Sequence, residues 1–310
     1  AMTINKVCSS GLKAVMLAAN TVELGQAEAV LAGGMESMSM APYLLPQFRD
    51  GARLGNAVAE DSIIKDALWD VYNDIHMGSC AELCAKEYGL SREAQDSFAA
   101  ESYARANKAI VEGWFRDEIV AVEVKKRKET ISFVEDEEPG KGNLEKLPKL
   151  RPVFQKDGTV TAANASSIND GAAAMLICSA EFVKTHGLTP LARIVSQGWA
   201  AKEPEWFTTA PVDAVRAALA KASLQVSDID LFEINEAFSA VALACGRDLE
   251  VPAERMNVCG GAVALCHRVG ASGARILCTL LHSLVRLEKT KGVVGICNGR
   301  GEATSLVVER

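Results

Sequence analysis

The sequence has no run of about 18 uninterrupted apolar residues, so no helix of it is expected to span a membrane. Nor does it carry a dense Lys/Arg block. With a net charge of −7, the chain is not expected to present a nucleic-acid surface. Any phosphate-bearing substrate would then need a local basic patch rather than a global field. A disulfide framework is missing too: the nine cysteines are an odd number scattered through apolar stretches, which fits reduced thiols. No signal or transit peptide is visible. The chain opens with Ala1 inside an apolar stretch instead of with Met, so a native N-terminal portion is expected to be missing. The glycine-rich stretch GGAVALCHRVGASG does not follow the dinucleotide-binding spacing. His76, Cys80 and Cys84 fall four apart but lack a fourth partner, which argues against structural zinc.

What is present is an α/β alternation over 310 residues, 49% of them hydrophobic, enough for two ordinary domains or one large one with a substantial core. Met2–Val7 is expected to be a short buried strand, and Leu12–Leu24 a helix with apolar Leu12, Val15, Met16, Ala19 and Val22 on one face. Ala27–Ala32 is expected to be a buried strand ending at Gly33-Gly34, which would complete a parallel crossover unit. Met35–Pro46 is loop-like. The segment 37–160 is expected to be an insertion between two strands of the first sheet, covering its active-site end. Its helical patches are Glu60–Tyr72, Cys80–Tyr88 and Arg92–Glu112, followed by a charged strand at Ile119–Lys128. Gly171–Cys178 is expected to be a central strand, and His186 a helix-end residue at the boundary between halves.

The second half repeats the plan, with helices at Val212–Ala222, Glu236–Leu249 and Ser272–Leu287, and strands at Ile229–Ile234, Val293–Cys297 and Thr304–Glu309. Ser10-Gly11-Leu12-Lys13 and Ser272-Gly273-Ala274-Arg275 each open a helix that leads to a strand and a glycine turn, at similar intervals. Two related α/β halves explain this, with boundaries at 1–190 and 191–310. The site is expected where the helix N-termini of the halves converge.

Four islands carry candidate chemistry there. Cys8 stands at a strand–helix junction, where backbone N–H groups and the positive dipole end favour thiolate. His267 could act as its base. Cys297 could shuttle protons to a carbon acid. Asn235 and N–H groups near Gly299 could stabilise an oxyanion. Each island alone also admits a structural reading.

Taken together, KVCSSG, NEAF, GGAVALCHRVGASGAR and CNGRGEATS resemble the signature blocks of the thiolase family. HMGSCAE and TVTAANASSINDGAAA stand between them in the expected order. MESMS, KLPKL and VFQKDGTVTAANAS are most similar to the mitochondrial-type acetoacetyl-CoA branch. The resemblance implies acetyl-CoA C-acetyltransferase chemistry: cleavage of acetoacetyl-CoA by coenzyme A, or condensation of two acetyl-CoA, through an acyl-cysteine. Cys8 would be the nucleophile, His267 its activator and Cys297 the acid/base. Asn235 would hold an oxyanion-hole water, and the N–H groups of Cys8 and Gly299 a second oxyanion hole. His76, Met77, Phe207 and Phe238 would line the pocket, Ser166 would touch pantetheine, and Lys146 would meet the phosphate end. No cofactor is required. A potassium ion is expected near Tyr103, Ala162, Ala163, Ala165 and Val263. A homodimer or homotetramer is implied, in the mitochondrial matrix or alternatively the cytoplasm.

Two departures from the family stand out. Family members carry roughly two more βα units before the nucleophile, so apolar sheet edges are expected to be exposed here. The family's Gly-His-Pro is Cys266-His267-Arg268, and its glycine run reads Asn298-Gly299-Arg300-Gly301-Glu302. Arg268 would disfavour an imidazolium, and Arg300 or Glu302 would displace the Gly299 N–H. The competing reading is a degenerate chain that binds CoA esters, or a partner subunit, without turnover. A cysteine hydrolase leaves Cys297 and Asn235 without a task, and ketoacyl synthases use a second histidine where Cys297 stands.

Overall fold

In the computed structural model, which describes residues 1–127 and 129–310, two helices lie side by side between two sheets. The first is α1 (Ser10–Glu23), followed by β1 (Ala29–Ser37). The inserted segment holds two two-residue ladders, β2 (Tyr43–Leu44) with β3 (Glu60–Asp61) and β4 (Trp69–Asp70) with β5 (Ile75–His76). Then come α2 (Met77–Glu87), α3 (Arg92–Val111) and an exposed hairpin of β6 (Val122–Lys126) and β7 (Glu129–Phe133). The chain returns as β8 (Asp170–Cys178), followed by α4 (Ala180–Thr185) and β9 (Arg193–Ala201). The remaining elements are α5 (Ala210–Lys221), β10 (Leu231–Ile234), α6 (Ser239–Asp248), α7 (Ala262–Leu265), α8 (Ser272–Arg286), β11 (Lys291–Cys297) and β12 (Glu302–Glu309).

The four-stranded sheet runs β10-β11-β12-β9, with β10 and β11 parallel and the other pairs antiparallel. Its strands β10, β11 and β12 are buried on both faces and largely apolar, as strands covered on both sides must be. Val293 and Val307 face α5 and its cluster around Val215. Val294, Ile296, Leu306 and Val308 face α1 and α8 through Leu12, Met16, Leu277 and Leu280. Beyond α1 and α8 lies the antiparallel pair β1–β8, which lends Ala32, Met175 and Ile177 to the same core.

The paired Ser-Gly motifs meet at the helix crossing. A Cβ on Gly273 would lie 2.6 Å from the Leu12 nitrogen, and one on Gly11 would lie 2.9 Å from the Ala274 nitrogen. Only glycine permits backbones this close. The contact places the N-termini of both helices, and the residues just before them, at one point. That is the convergence expected from the internal similarity.

Several expectations need correction. Met2–Val7 is not a strand: Met2 is 81% exposed, and among the described residues no strand pairs with this segment. Among the described residues β1 pairs only with β8, in antiparallel register. Neither β1 nor β8 is central or fully buried. Their outward residues Leu31, Met35 and Leu176 are 74%, 78% and 53% exposed, which agrees with the expected apolar edge. Glu60–Tyr72 is not one helix but a six-residue π-type turn at Ile63–Leu68 between short strands. The charged strand spans Val122–Lys126, and Lys128 lies outside the described residues. β9 was not anticipated, because Arg193–Ala201 mixes polar and apolar residues without clean alternation. Helices α2, α3, α5 and α8 stand within a few residues of expectation, and His186 does close α4, its ring stacked on Phe182.

The inserted segment is tied down by buried polar groups. Glu82 of α2 accepts from the backbone N–H groups of Thr159 and Val160 at 2.8 Å. Asn164 donates to Asp96 of α3 at 2.9 Å, and its carbonyl accepts from Ser239 N–H. The stretch 159–167 is thereby pressed onto the residues that follow β10.

Candidate active site

Cys8 sits in a single 3-10 turn, Val7–Ser9, two residues ahead of α1. Val7 has φ +50, a conformation strained for a β-branched side chain. Ser9 Oγ donates to Ile296 O at 3.2 Å, which pins this turn against the end of β11. The backbone N–H groups of Gly299 and of Cys8 itself lie near enough to the thiol to favour its ionised form. These are the two donors expected to form an oxyanion hole. The thiol, however, is not activated at rest. Burial pushes Cys8 up to about 12, outweighing both N–H groups, so the sequence expectation of a favoured thiolate is reversed by desolvation. Deprotonation therefore requires a base.

His267 is buried before α8. Its Nδ1 lies 2.7 Å from Ser272 Oγ, and that hydroxyl donates its own hydrogen to Arg268 O at 3.0 Å. Nδ1 therefore donates to Ser272, leaving a lone pair on Nε2. Among the described residues neither Nε2 nor Asn235 Oδ1 has a hydrogen-bond partner, and such buried unpaired acceptors mark where a ligand would bind. The Asn235 side-chain amide lies 3.4 Å from His267 Nδ1. Burial, then Arg275, then Arg268 hold His267 down at about 4, so it is neutral at ordinary pH. Cys297, at the end of β11, is pushed well above its usual value by burial and next by the neighbouring Cys8.

Arg268 proves to be a structural tie. Its guanidinium pairs with Asp136 and donates to Leu265 O at 2.7 Å and Asp170 O at 3.0 Å. The effect on His267 is in the expected direction, but Arg275, one turn into α8, acts more strongly. In the β11–β12 turn, Arg300 reaches Asp66 O, and Glu302 pairs with Lys6. A Cβ on Gly299 would meet Met77 Sδ at 2.8 Å and Ala67 O at 2.9 Å, so only glycine allows this approach.

Met77, Phe207, Phe238 and Cys297 belong to one buried cluster. His76 caps α2 by accepting from Gly78 N–H at 2.9 Å, and it stacks on Phe154 at 4.8 Å. Phe154 stands edge-on to Phe238, and Phe238 edge-on to Phe207. Phe154, unremarked in the sequence, completes this wall; its signal was an aromatic in the same VFQKDG stretch that carried the resemblance. Ser166 Oγ donates to Ala237 O at 2.9 Å, beside Phe238. Lys146 is exposed on the 144–149 turn, joined to the cluster by no hydrogen bond among the described residues. Tyr103, Ala163 and Val263 share a separate cluster, and Ala162 and Ala165 flank Ala163 in the adjoining turn.

Behind Asn235, the carboxylate of Glu236 is buried and accepts from Ser102 Oγ at 2.7 Å, Asn257 Nδ2 at 2.8 Å and Val263 N–H at 3.1 Å. It fixes the Asn235 backbone relative to α3 and α7.

Comparison with known proteins agrees with this arrangement. Residues 1–181 match the family model "Thiolase, N-terminal domain", and residues 188–310 match "Thiolase, C-terminal domain". The chain belongs to the thiolase family. The acetyl-CoA acetyltransferase of Pseudomonas aeruginosa is 51% identical, over 100% of this chain and 79% of that protein. That of Yarrowia lipolytica is 53% identical, over 100% and 77%. Among solved structures, human mitochondrial 3-ketoacyl-CoA thiolase is similar with a TM-score of 0.95 and 41% identity, over 99% of this chain and 78% of that one. The Bacillus anthracis acetyl-CoA acetyltransferase gives 0.96 and 42% over the same shares.

Position 266 holds a side chain where the backbone favours glycine. Cys266 has φ +73 and ψ 155, a region that costs a side-chain-bearing residue about 1–3 kcal/mol. The Cys266→Gly variant is expected to be more stable than Cys266→Ala by about that amount, since alanine keeps the strain and loses the buried sulfur. Thermal melting of both variants checks this; equal stability would mean that the backbone there is relaxed.

Proposed function

We propose that the chain is an acetyl-CoA C-acetyltransferase that cleaves acetoacetyl-CoA with coenzyme A and, in reverse, condenses two acetyl-CoA. The observation that supports this is a buried Cys8 thiol, held up to about 12 by desolvation, with the Gly299 and Cys8 N–H groups near enough to oppose that shift. His267 Nε2 takes the Cys8 proton. The thiolate then attacks C3 of acetoacetyl-CoA, and the resulting oxyanion is met by donors already oriented. Breaking the C2–C3 bond expels the acetyl-CoA carbanion. Its charge is spread onto the thioester oxygen beside Asn235 and His267, and C2 is protonated by Cys297. Coenzyme A thiol then gives its proton to the Cys297 thiolate and attacks the acetyl-Cys8 carbonyl; the second acetyl-CoA is released as the Cys8 thiolate leaves and takes its proton back from His267. The buried setting keeps water from hydrolysing the acyl-enzyme.

The wall of His76, Met77, Phe154, Phe207 and Phe238 would orient the acyl end, and Ser166 the pantetheine arm. A potassium ion, if part of the site, would be held by neutral oxygens around Tyr103, Ala162, Ala163, Ala165 and Val263, and would order the 161–165 turn. A homodimer or homotetramer, using the exposed apolar face of β1 and β8, belongs to the same reading, as does the mitochondrial matrix.

Brief mixing with acetoacetyl-CoA is expected to add one acetyl group to the peptide carrying Cys8, and none to Cys8→Ala. Peptide mass measurement reads this. A folded chain without adduct would favour the degenerate, non-turning-over alternative.

A further inference from the structure

One of the two substitutions in the glycine turn, Glu302, forms a charge pair with Lys6 of the loop that leads into Cys8. Lys6 stands two residues before the nucleophile. Its backbone N–H donates to Ser10 Oγ at 2.8 Å, and Ser10 Oγ donates to Val7 O at 2.6 Å, which closes the strained turn around Cys8. Its ammonium lies 2.5 Å from Glu302 Oε2. On the other side, the same Glu302 oxygen accepts from Asn298 Nδ2 at 3.1 Å, and Glu302 O accepts from Asn298 N–H at 2.8 Å. Glu302 thus closes the turn that aims the Gly299 N–H. Between the two loops lies a cavity of about 410 Å³, lined by Asn5, Lys6, Val7, Asp66, Asn298, Arg300 and Glu302. Side-chain packing does not fill that space, so the pair bridges it.

We propose that Lys6 and Glu302 are positioning residues, an ionic strap that fixes the turn carrying Gly299 against the turn carrying Cys8. The strap acts on the acyl-transfer site assigned above and rests on that assignment. The pair is partly exposed, with 24% and 39% of its side chains open to solvent, so it adds little to global stability. Its effect is geometric: an error of about 1 Å at reacting groups can cost on the order of 100-fold in rate, and a few tenths of an ångström correspondingly less.

The test compares Lys6→Met, Glu302→Gln and the charge swap Lys6→Glu/Glu302→Lys in the full chain. Each single variant is expected to lower kcat for thiolysis about 10-fold while KM stays within about twofold and the melting temperature barely moves. The swap should recover most of the loss. Near 1 M salt, where screening reaches about 3 Å, wild-type kcat should fall toward that of Glu302→Gln, which itself should not change. Single variants with wild-type kcat, or a swap no better than either single, would overturn the strap. Alkylation of Cys8 by iodoacetamide gives a second readout that needs no turnover. The single variants should react several-fold more slowly, because the thiolate loses its Gly299 donor. If the wild-type chain transfers no acetyl group, the functional assignment fails, while unchanged alkylation would sink the strap separately.

Discussion

Replacing His267 by alanine is expected to slow acetylation of Cys8 by acetoacetyl-CoA on the order of 100- to 10,000-fold, the span of a positioned general base. The pH dependence should change as well as the rate. Burial, Arg275 and Arg268 hold His267 at about 4, so its lone pair is available throughout the neutral range. Acetylation by the wild-type chain should therefore be flat from about pH 6 to 9 and decline only as the imidazole protonates in acid. Without the imidazole, the thiol must ionise alone from a value near 12. The variant rate should then rise about tenfold per pH unit across the same window, because the thiolate fraction does. Stopped-flow acylation followed over pH separates the cases. A variant that is merely slow, with the same flat profile, would show that His267 does not take the Cys8 proton.

Cys297→Ala is expected to split the reaction in two. Its thiol is held well above its usual value by burial and by Cys8, which suits a group that gives a proton to carbon and takes one back. The variant should lose cleavage of acetoacetyl-CoA by about 10,000-fold or more, since the expelled carbanion has no acid to meet it. Yet Cys8 should still be acetylated by acetyl-CoA, because that step breaks a C–S bond and needs no proton at carbon. Mass measurement after mixing with each thioester gives the comparison. Equal loss with both donors would mean that Cys297 serves the nucleophile or the packing around it instead of carbon-acid chemistry.

The legible part of this molecule was the part whose sequence spacing is local. Cys8, the Asn235-Glu236 corner, His267 and Cys297 each sit at the end of a strand or the opening of a helix, where period and glycine punctuation announce the junction. Their convergence was readable from the repeated Ser-Gly opening, because the same two residues make the helix crossing. Less could be read where partners are remote in sequence. Nothing in the spacing ties Lys6 to Glu302, Ser272 Oγ to the ring of His267, or Arg268 to Asp136. Burial was also opaque locally: a helix N-terminus promises a thiolate, and only the surrounding core shows that desolvation wins at Cys8. The reading of β1 as buried failed for a related reason. Its apolar alternation records a face that needs covering, and Leu31 and Met35 remain bare here.

The Gly11–Gly273 crossing has a consequence for how this site tolerates change. Cys8 precedes one helix and His267 the other, and the helices touch there backbone to backbone. The spacing between nucleophile and base is thus gauged by atoms that have no rotamers. An error elsewhere in the core can be absorbed by side chains that shift and refill. An added methyl at this crossing has nothing to shift but the two helices themselves, and it carries both catalytic groups apart together with them.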